Sequence, residues 1–342
     1  MKKIMAIGEA RIDFIPSQDG SYMPHLGGAP CNVAGAYVKL SGQATLLTQL
    51  GDDLFGQRIR KELIETGIDV SALPMTKEAK TSLAFVGLSD NGQRTFSFYR
   101  NPGADMLYSE DNITDDLFIN NYALHFCSVS LVDCPMKQAH TKAIETALKH
   151  GQMISFDPNV RLMLWDDHDK LKQVIWDYVP YAHILKIADE ELEFICDTNN
   201  PKEAAEKLLI GNVQLVLVTC GADGVYAFTK NTQAYTESLK VKAIDTTGAG
   251  DGFIGSFLYQ CALKDIHDFS ALSSDELEIM LRKSSIFAGE SVTKHGAISS
   301  YPTSLSEDNE RKKQYLDCLP MLMPEKQPCV KGCCFNPVKS AN

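Results

Sequence analysis

Between residues 125 and 219 the sequence alternates between short apolar runs rich in β-branched residues and longer amphipathic segments. The predicted order is strand, helix, strand, helix, strand, helix, strand, over His125–Leu131, Pro135–His150, Met153–Phe156, Asp169–Val179, Ile184–Ile187, Pro201–Leu209 and Gln214–Thr219. Strands that alternate with helices build a mostly parallel sheet covered by helices on both faces. The alternation therefore predicts a three-layer α/β/α fold, in which ligands bind beyond the carboxyl ends of the strands.

Composition narrows the class of protein. The chain has 342 residues, 44% of them hydrophobic, which is enough for a large buried core. Its formal net charge is −11, which argues against nucleic acid or an anionic membrane as the main partner. No apolar run reaches membrane-spanning length. We therefore expect a cytoplasmic protein that binds small molecules.

One part of the chain departs from the strand–helix alternation. Two β-rich runs, Thr81–Leu88 and Arg94–Arg100, flank the loop Ser89–Gln93, which contains Asn-Gly. Asn-Gly between two β-rich runs is a strong hairpin signal. The segment therefore predicts a hairpin that is separate from the parallel sheet.

The stretch Asp245–Gly252, Asp-Thr-Thr-Gly-Ala-Gly-Asp-Gly, is the strongest candidate site. A strand-like run, Leu239–Ile244, precedes it and a helix-like run, Phe253–Tyr259, follows it. A glycine-rich turn that opens a helix presents unpaired N–H groups and the positive end of the helix dipole, which suits a phosphoryl group. We expect the amides of Gly248, Ala249 and Gly250 to hold developing charge, and Asp251 to act as the general base.

A second glycine turn lies near the N-terminus. Gly27 and Gly28 precede a helical run that contains Asn32, whose side-chain amide both donates and accepts hydrogen bonds. Asp13 follows the first predicted strand and offers a carboxylate. These groups suit a ligand with several hydroxyls, although Asp13 alone is also typical of an ordinary turn.

Both glycine turns resemble signatures of one enzyme family, the PfkB-type carbohydrate kinases with the ribokinase-like fold. Residues 245–252 are similar to its C-terminal signature, residues 27–34 are similar to its N-terminal signature, and the likeness extends over residues 1–305. The resemblance implies one kinase domain with a small β-sheet lid, formed from about residues 10–30 and 80–106, that closes over the sugar. Residues 306–342 are Cys- and Pro-rich and are expected to be a loosely packed tail.

The resemblance also implies roles for individual residues. ATP would be bound with Mg²⁺, which is held through ATP and water, and a monovalent cation such as K⁺ would lie at Asp245 and Thr247. The implied sugar-binding residues are Asp13, Gly27, Gly28, Asn32, Arg100, Asp105 and Arg161. The implied nucleotide-binding residues are Lys186, Glu191, Thr219, Gly221, Gly224 and Gly296. Ala188 departs from the family pattern, which has Asn or Ser there, and this weakens the case for Mg²⁺ coupling through Glu191.

Three further patterns resemble those of the family's fructokinases: the start GEARIDFIP, the F-x-R-x-P-x-A-D run that ends at Asp105, and the DPNxR run that ends at Arg161. Fructose is therefore the expected substrate. Arg11 stands where the family has an apolar residue, and an arginine that points into the site would favour an acidic sugar such as 2-keto-3-deoxygluconate.

Other readings of the sequence stay open. An aminoimidazole riboside is a further candidate substrate, and a catalytically idle binding or regulatory subunit is the alternative to an enzyme. Arg100 and Asp105 form a surface ion pair if they do not face the substrate. Family members often dimerise through the lid sheet, so a homodimer is expected.

Overall fold

The structure, a computed structural model, describes residues 2–17, 19–88 and 94–306. Residues up to Leu305 belong to one compact unit. Its strands are β1 (Lys3–Ile7), β2 (Arg11–Pro16), β3 (Tyr22–Gly27), β4 (Gln43–Leu47), β5 (Leu50–Gly51), β6 (Met75–Thr76), β7 (Leu83–Leu88), β8 (Arg94–Tyr99), β9 (Asn121–Cys127), β10 (Met153–Asp157), β11 (Ile184–Ala188), β12 (Leu215–Thr219), β13 (Val225–Phe228) and β14 (Gln233–Thr236).

Several helices begin where the sequence offers a capping side chain or a proline. Asp53 and Ser273 accept hydrogen bonds from first-turn N–H groups, and proline occupies the first turn of three helices. The helices are α1 (Ala29–Lys39), α2 (Leu54–Thr66), α3 (Pro135–Lys149), α4 (His168–Tyr178), α5 (Asp189–Cys196), α6 (Pro201–Leu208), α7 (Ala249–Lys264) and α8 (Ser274–Ser291).

The large sheet has the order β14-β13-β12-β11-β10-β9-β1-β4. Its strands from β12 to β4 in that order are parallel, and β13 and β14 add an antiparallel edge. Alternate residues of β1 enter different cores: Ile4 and Ala6 pack with α1, α7 and α8, whereas Met5 and Ile7 pack with α3 to α6. The predicted three-layer α/β/α fold is therefore confirmed.

A smaller sheet with the order β3-β2-β7-β8 stands apart from the large one. The predicted hairpin strands are β7 and β8, and β2 and β3 complete the sheet. One face carries aromatic rings, where Phe14 stacks on Phe85 at 4.6 Å between ring centroids. Asp13 belongs to β2 and points to the opposite face, so it lies in a strand and not in a turn.

Several predicted boundaries are wrong. Leu239–Ile244 forms no strand; the Ile244 N–H donates instead to the Val292 carbonyl at 2.7 Å. The strand predicted at His125–Leu131 is β9, which starts at Asn121 and ends at Cys127, because the Ser128 N–H turns to the Pro158 carbonyl.

The predicted loop Ser89–Gln93, and the predicted tail beyond Ser306, lie outside the described residues. None of the helices described here is long and apolar enough to span a bilayer.

Candidate active site

The glycine turn before α7 has the geometry of an anion site. Gly248 adopts φ +74°, and a Cβ placed there would lie 2.6 Å from the Cβ of Ala297, so glycine is required. The Gly248 carbonyl accepts the Gly252 N–H and the Tyr301 hydroxyl, both at 2.7 Å. These two donors hold the turn in place at the start of the helix.

The free amides at this turn differ in part from those expected. The Ala249 N–H donates to the Thr246 carbonyl at 3.2 Å, so the turn itself uses this donor. Within the described chain the N–H groups of Gly248, Gly250 and Asp251 have no acceptor. In this geometry the Asp251 amide is a free donor beside those of Gly248 and Gly250, and the expected role of the Ala249 amide stays a prediction.

Asp251 lies in the first turn of α7 and is partly exposed. Its Oδ2 accepts a hydrogen bond of 2.9 Å from Asn32 Nδ2. Burial is the largest influence and raises the pKa of Asp251 to about 7, although the Asn32 hydrogen bond acts against it. The Asp157 carboxylate raises the pKa further, and the Lys186 charge opposes it. A carboxylate with this pKa can accept a proton near neutral pH.

Asn32 presents an unused acceptor beside Asp251. Its Oδ1 is buried and has no hydrogen-bond partner within the described residues. The glycines before α1 allow close approach: a Cβ at Gly28 would lie 2.3 Å from the Glu9 carbonyl oxygen, and one at Gly27 would lie 2.1 Å from Asp13 Oδ2. A buried unpaired acceptor is costly, so this one points to a ligand hydroxyl.

Asp13 is held by a chain of buried charges. Arg11 Nε donates to Asp13 Oδ1 at 2.7 Å, and Arg11 Nη1 donates to Glu9 Oε1 at 3.2 Å. Glu9 Oε1 also accepts the Ala29 N–H at 3.0 Å, at the first residue of α1. Glu9 therefore links the helix that carries Asn32 to the strand that carries Asp13.

Arg100 and Asp105 form an interior ion pair. Arg100 Nη2 and Nε lie 2.6 Å and 2.8 Å from Asp105 Oδ2, and the side chains are only 4% and 1% exposed. Arg100 also donates to the Val129 carbonyl and to the Ser130 hydroxyl, and Ser82 bonds Asp105. The alternative of a surface ion pair is therefore wrong. Direct contact of the pair with a sugar stays a prediction.

A buried cation faces the anion turn. Lys186 Nζ lies 3.0 Å from Asp157 Oδ2 and 3.0 Å from the position that a Cβ on Gly250 would occupy. Burial opposes its charge, but Asp157 and then Glu191 raise the pKa of Lys186. Arg161 is half-buried at the same edge, and its charge also acts on Asp251. The turn thus combines amide donors with positive side chains.

Glu191 is buried behind this cation. Its oxygens accept the Ala188 N–H at 2.9 Å and the Val160 N–H at 2.5 Å. Burial, followed by the Asp157 charge, raises the pKa of Glu191. The backbone holds this carboxylate, and its contact with Mg²⁺ through water stays a prediction.

The predicted nucleotide turn follows β12. Gly221 and Gly224 have φ values of +51° and +117°, and a Cβ at Gly224 would lie 2.3 Å from the Thr236 carbonyl oxygen. The Cys220 N–H closes the turn on the Gly224 carbonyl at 2.8 Å, and Thr219 ends the strand before it. The turn is open on the side of Gly221, where a Cβ would meet nothing within 4 Å.

Asp245 ties the anion turn to the loop around Gly296. The carboxylate is 2% exposed, and it accepts the Thr247 N–H and the Gly296 N–H, each at 2.9 Å. His295 Nδ1 lies 4.0 Å from Asp245 Oδ2. The structure thus brings together Asp245, Thr247 and Gly296, which are up to 51 residues apart.

Three residues of this site have no role in the sequence-based predictions. Asp157 stands in the DPNxR run, but no local pattern pairs it with Lys186. Glu9 follows the first strand, and a carboxylate at that end of a strand is a signal that predicts a site residue. Nothing local marks Tyr301, because its contact with Gly248 joins residues 53 positions apart.

Comparison with known proteins places this geometry in a family. The sequence profile of the pfkB family carbohydrate kinases matches residues 1–304. The chain is 38% identical over 309 residues to probable fructokinase-2 of Arabidopsis thaliana, an alignment that covers 88% of this chain and 93% of the plant protein.

Solved structures of fructokinases have the same fold as this chain. A fructokinase from Xylella fastidiosa with bound ATP superposes with a TM-score of 0.83 at 31% identity, over 92% of this chain and 99% of that one. A fructokinase double mutant from Vibrio cholerae O395, bound to fructose, ADP and a potassium ion, has a TM-score of 0.78 at 30% identity, over 88% and 96% of the two chains. This chain belongs to the pfkB family and is an ATP-dependent carbohydrate kinase.

Proposed function

We propose that the protein is a fructokinase that transfers the γ-phosphoryl group of ATP to a primary hydroxyl of fructose. The observation that carries the chemistry is the position of Asp251. This carboxylate has a pKa of about 7. It lies at a turn with free amides, and the buried Lys186 faces that turn. Fructose as the acceptor is supported by the names of the relatives and by the fructose bound in the Vibrio structure.

Each group at the turn has a separate task. Asp251 takes the proton from the attacking hydroxyl, because a sugar hydroxyl has too high a pKa to attack unaided. The amides of Gly248, Gly250 and Asp251 hold the charge that develops on the phosphoryl oxygens. Lys186 adds a full positive charge beside Gly250.

The sugar would lie between α1 and the small sheet. Asn32 holds Asp251 with its amino group, and its free Oδ1 accepts a sugar hydroxyl. Asp13 accepts further hydroxyls from the face of β2, and Gly27 and Gly28 let the backbone come close. Arg100, Asp105 and Arg161 are proposed to shape the remaining wall of the sugar site.

ATP would lie along the edge from the turn at Gly221 and Gly224 to the loop at Gly296, with Thr219 and Lys186 beside it. Among the described residues no cluster of three or more His, Cys, Asp or Glu side chains could enclose a metal. This fits Mg²⁺, which keeps several waters and binds with the nucleotide phosphates. Mg²⁺ bound in this way would neutralise phosphate charge, and Glu191 would hold one of its waters.

A monovalent cation such as K⁺ is proposed at Asp245 and Thr247. Asp245 is buried and accepts the N–H groups of Thr247 and Gly296, and carboxylate oxygens are the type of ligand that hard cations take. The potassium ion in the Vibrio fructokinase supports this proposal. A cation here would support the loop that joins the anion turn to Gly296.

An acidic sugar is a weaker candidate. Arg11 does point into the site, but it already pairs with Glu9 and Asp13. One positive and two negative charges leave this wall with a net charge of −1, which repels a substrate carboxylate. No contact among the described residues favours an aminoimidazole riboside over fructose. The free amides and the raised pKa of Asp251 argue against an idle subunit.

We propose a cytoplasmic homodimer. The aromatic face of the small sheet is exposed at Tyr22 and Tyr99, which are 45% and 65% exposed. Exposed aromatic patches of this kind are typical of protein interfaces. The free thiols of the six described cysteines fit a reducing compartment.

A sugar panel tests the proposal. The purified protein is assayed with ATP and fructose, ribose, 2-keto-3-deoxygluconate or aminoimidazole riboside, with and without Mg²⁺ and with K⁺ or Na⁺. The highest kcat/KM is expected for fructose, with dependence on Mg²⁺ and faster turnover in K⁺. A higher value for another acceptor would refute fructose as the substrate, and no turnover of any sugar would favour the idle subunit.

A further inference from the structure

Arg11 lies beside the proposed sugar ligand Asp13 and departs from the family pattern, which has an apolar residue at this position. It lies on the face of β2 that carries Asp13, and its side chain is 12% exposed. Its guanidinium pairs with Asp13 on one side and with Glu9 on the other, and its Cζ lies 5.4 Å from the centre of the Phe98 ring. Three separate contacts therefore fix its direction.

The two carboxylates would repel each other without this arginine. Glu9 is fully buried and the side chain of Asp13 is 5% exposed, and Arg11 bonds both. Burial acts against the charge of Arg11, but Asp13 and then Glu9 outweigh burial and raise its pKa. Arg11 is thus a permanent positive charge that neutralises part of a buried acidic pair.

The ion pair also limits how Asp13 can move. Arg11 Nε holds Oδ1, while Oδ2 lies against the backbone of Gly27, where a Cβ would be only 2.1 Å away. The carboxylate is therefore held between a guanidinium and a glycine. A binding group that is fixed before the ligand arrives loses less entropy on binding.

We propose that Arg11 is a positioning residue: it holds the Asp13 carboxylate in the orientation that binds the sugar, and does not itself bind a substrate carboxylate. The inference rests on the proposed function, because Asp13 is taken as a sugar ligand. If the inference is correct, Arg11 supports binding of a neutral sugar through Asp13. The positive charge of Arg11 alone would instead suggest an acidic sugar.

The test measures kcat, the KM for fructose, the KM for ATP and the Tm of Arg11→Leu and Arg11→Lys. Loss of a charge-assisted hydrogen bond should raise the KM for fructose about 10- to 100-fold in Arg11→Leu. The kcat and the KM for ATP should stay within about threefold. Arg11→Lys keeps the charge but not the fork, so its KM should be intermediate. The exposed Arg60→Leu is the matched control and should behave as wild type.

A double-mutant cycle separates positioning from direct contact. Because Arg11 acts through Asp13, Arg11→Leu should change the KM for fructose less than about twofold in an Asp13→Ala background, which has no side-chain acceptor for Arg11. The same factor in both backgrounds would overturn the proposal, and so would a KM for fructose within twofold of wild type in Arg11→Leu. If Arg11→Leu does not fold, the same cycle run with Arg11→Lys decides between these outcomes.

Failure of the proposed function can be recognised separately. It would appear in the wild-type panel as a preference for another sugar, and the cycle is then run with that sugar. Wild-type preference for 2-keto-3-deoxygluconate, abolished in Arg11→Leu, would overturn the positioning role, because Arg11 would then be the ligand of the substrate carboxylate.

Discussion

Asn32 Nδ2 donates a 2.9 Å hydrogen bond to Oδ2 of Asp251, across 219 residues of sequence. The same Asn32 side chain keeps its Oδ1 without a partner among the described residues. One amide therefore orients the proposed base with its nitrogen and is ready to bind a sugar hydroxyl with its oxygen. In the proposed function, this arrangement would place the attacking sugar hydroxyl next to Asp251, the proposed base.

Asp251→Asn should abolish most catalysis without loss of fold. An amide has nearly the same shape but cannot take the proton, so kcat should fall about 10²- to 10⁴-fold. ATP affinity should change little. Steady-state kinetics and ATP titration test this, and activity within about tenfold of wild type would contradict the assignment of the base.

The pH dependence follows from the pKa of about 7 for Asp251. The base acts in its ionised form, so kcat/KM should rise about tenfold per pH unit below 7 and level off above it. The raised pKa also means that the folded state loses stability as pH rises from about 4 to about 7. Asp251→Asn should therefore be at least as stable as wild type at pH 8. A flat activity profile from pH 5 to 8, or a lower Tm of the variant at pH 8, would count against this.

Tyr301→Phe should slow turnover while the fold is kept. The hydroxyl that bonds the Gly248 carbonyl at 2.7 Å is lost, but the ring still packs on Gly252. A net hydrogen-bond contribution of about 0.5–1.5 kcal/mol predicts a kcat lower by about 2- to 12-fold, with little change in the KM for sugar. Tyr181→Phe, at an exposed tyrosine, is the control. Equal kcat values for both variants would show that this hydroxyl does not support the turn.

Arg100→Ala should destabilise the protein strongly. It leaves Asp105 buried without its cation, which typically costs about 3–5 kcal/mol. Urea unfolding measures this cost, and Lys149→Ala, which breaks an exposed pair with Asp115, should cost far less. We also expect kcat/KM for fructose to fall by more than ATP affinity changes. A variant as stable as Lys149→Ala would show that the interior pair is not maintained in solution.

Local sequence patterns were sufficient for the architecture and for the main turn. The β–α alternation predicted the layered sheet, because periodicity reports which face of each element is buried. The glycines around Asp251 predicted the anion site. A turn with positive φ values favours glycine at those positions, so the turn can be recognised from the sequence. Both patterns involve residues that are close together along the chain, and such patterns can be read directly from the sequence.

Tertiary structure alone decided which distant residues meet. It placed Asn32 against Asp251, Tyr301 against Gly248, and Arg11 between Glu9 and Asp13. It also placed the pair of Arg100 and Asp105 in the interior, and it uses the Ala249 amide within the turn. A hydrogen bond or an ion pair depends on distances of about 3 Å. Packing of whole layers sets such distances, and no local pattern specifies them.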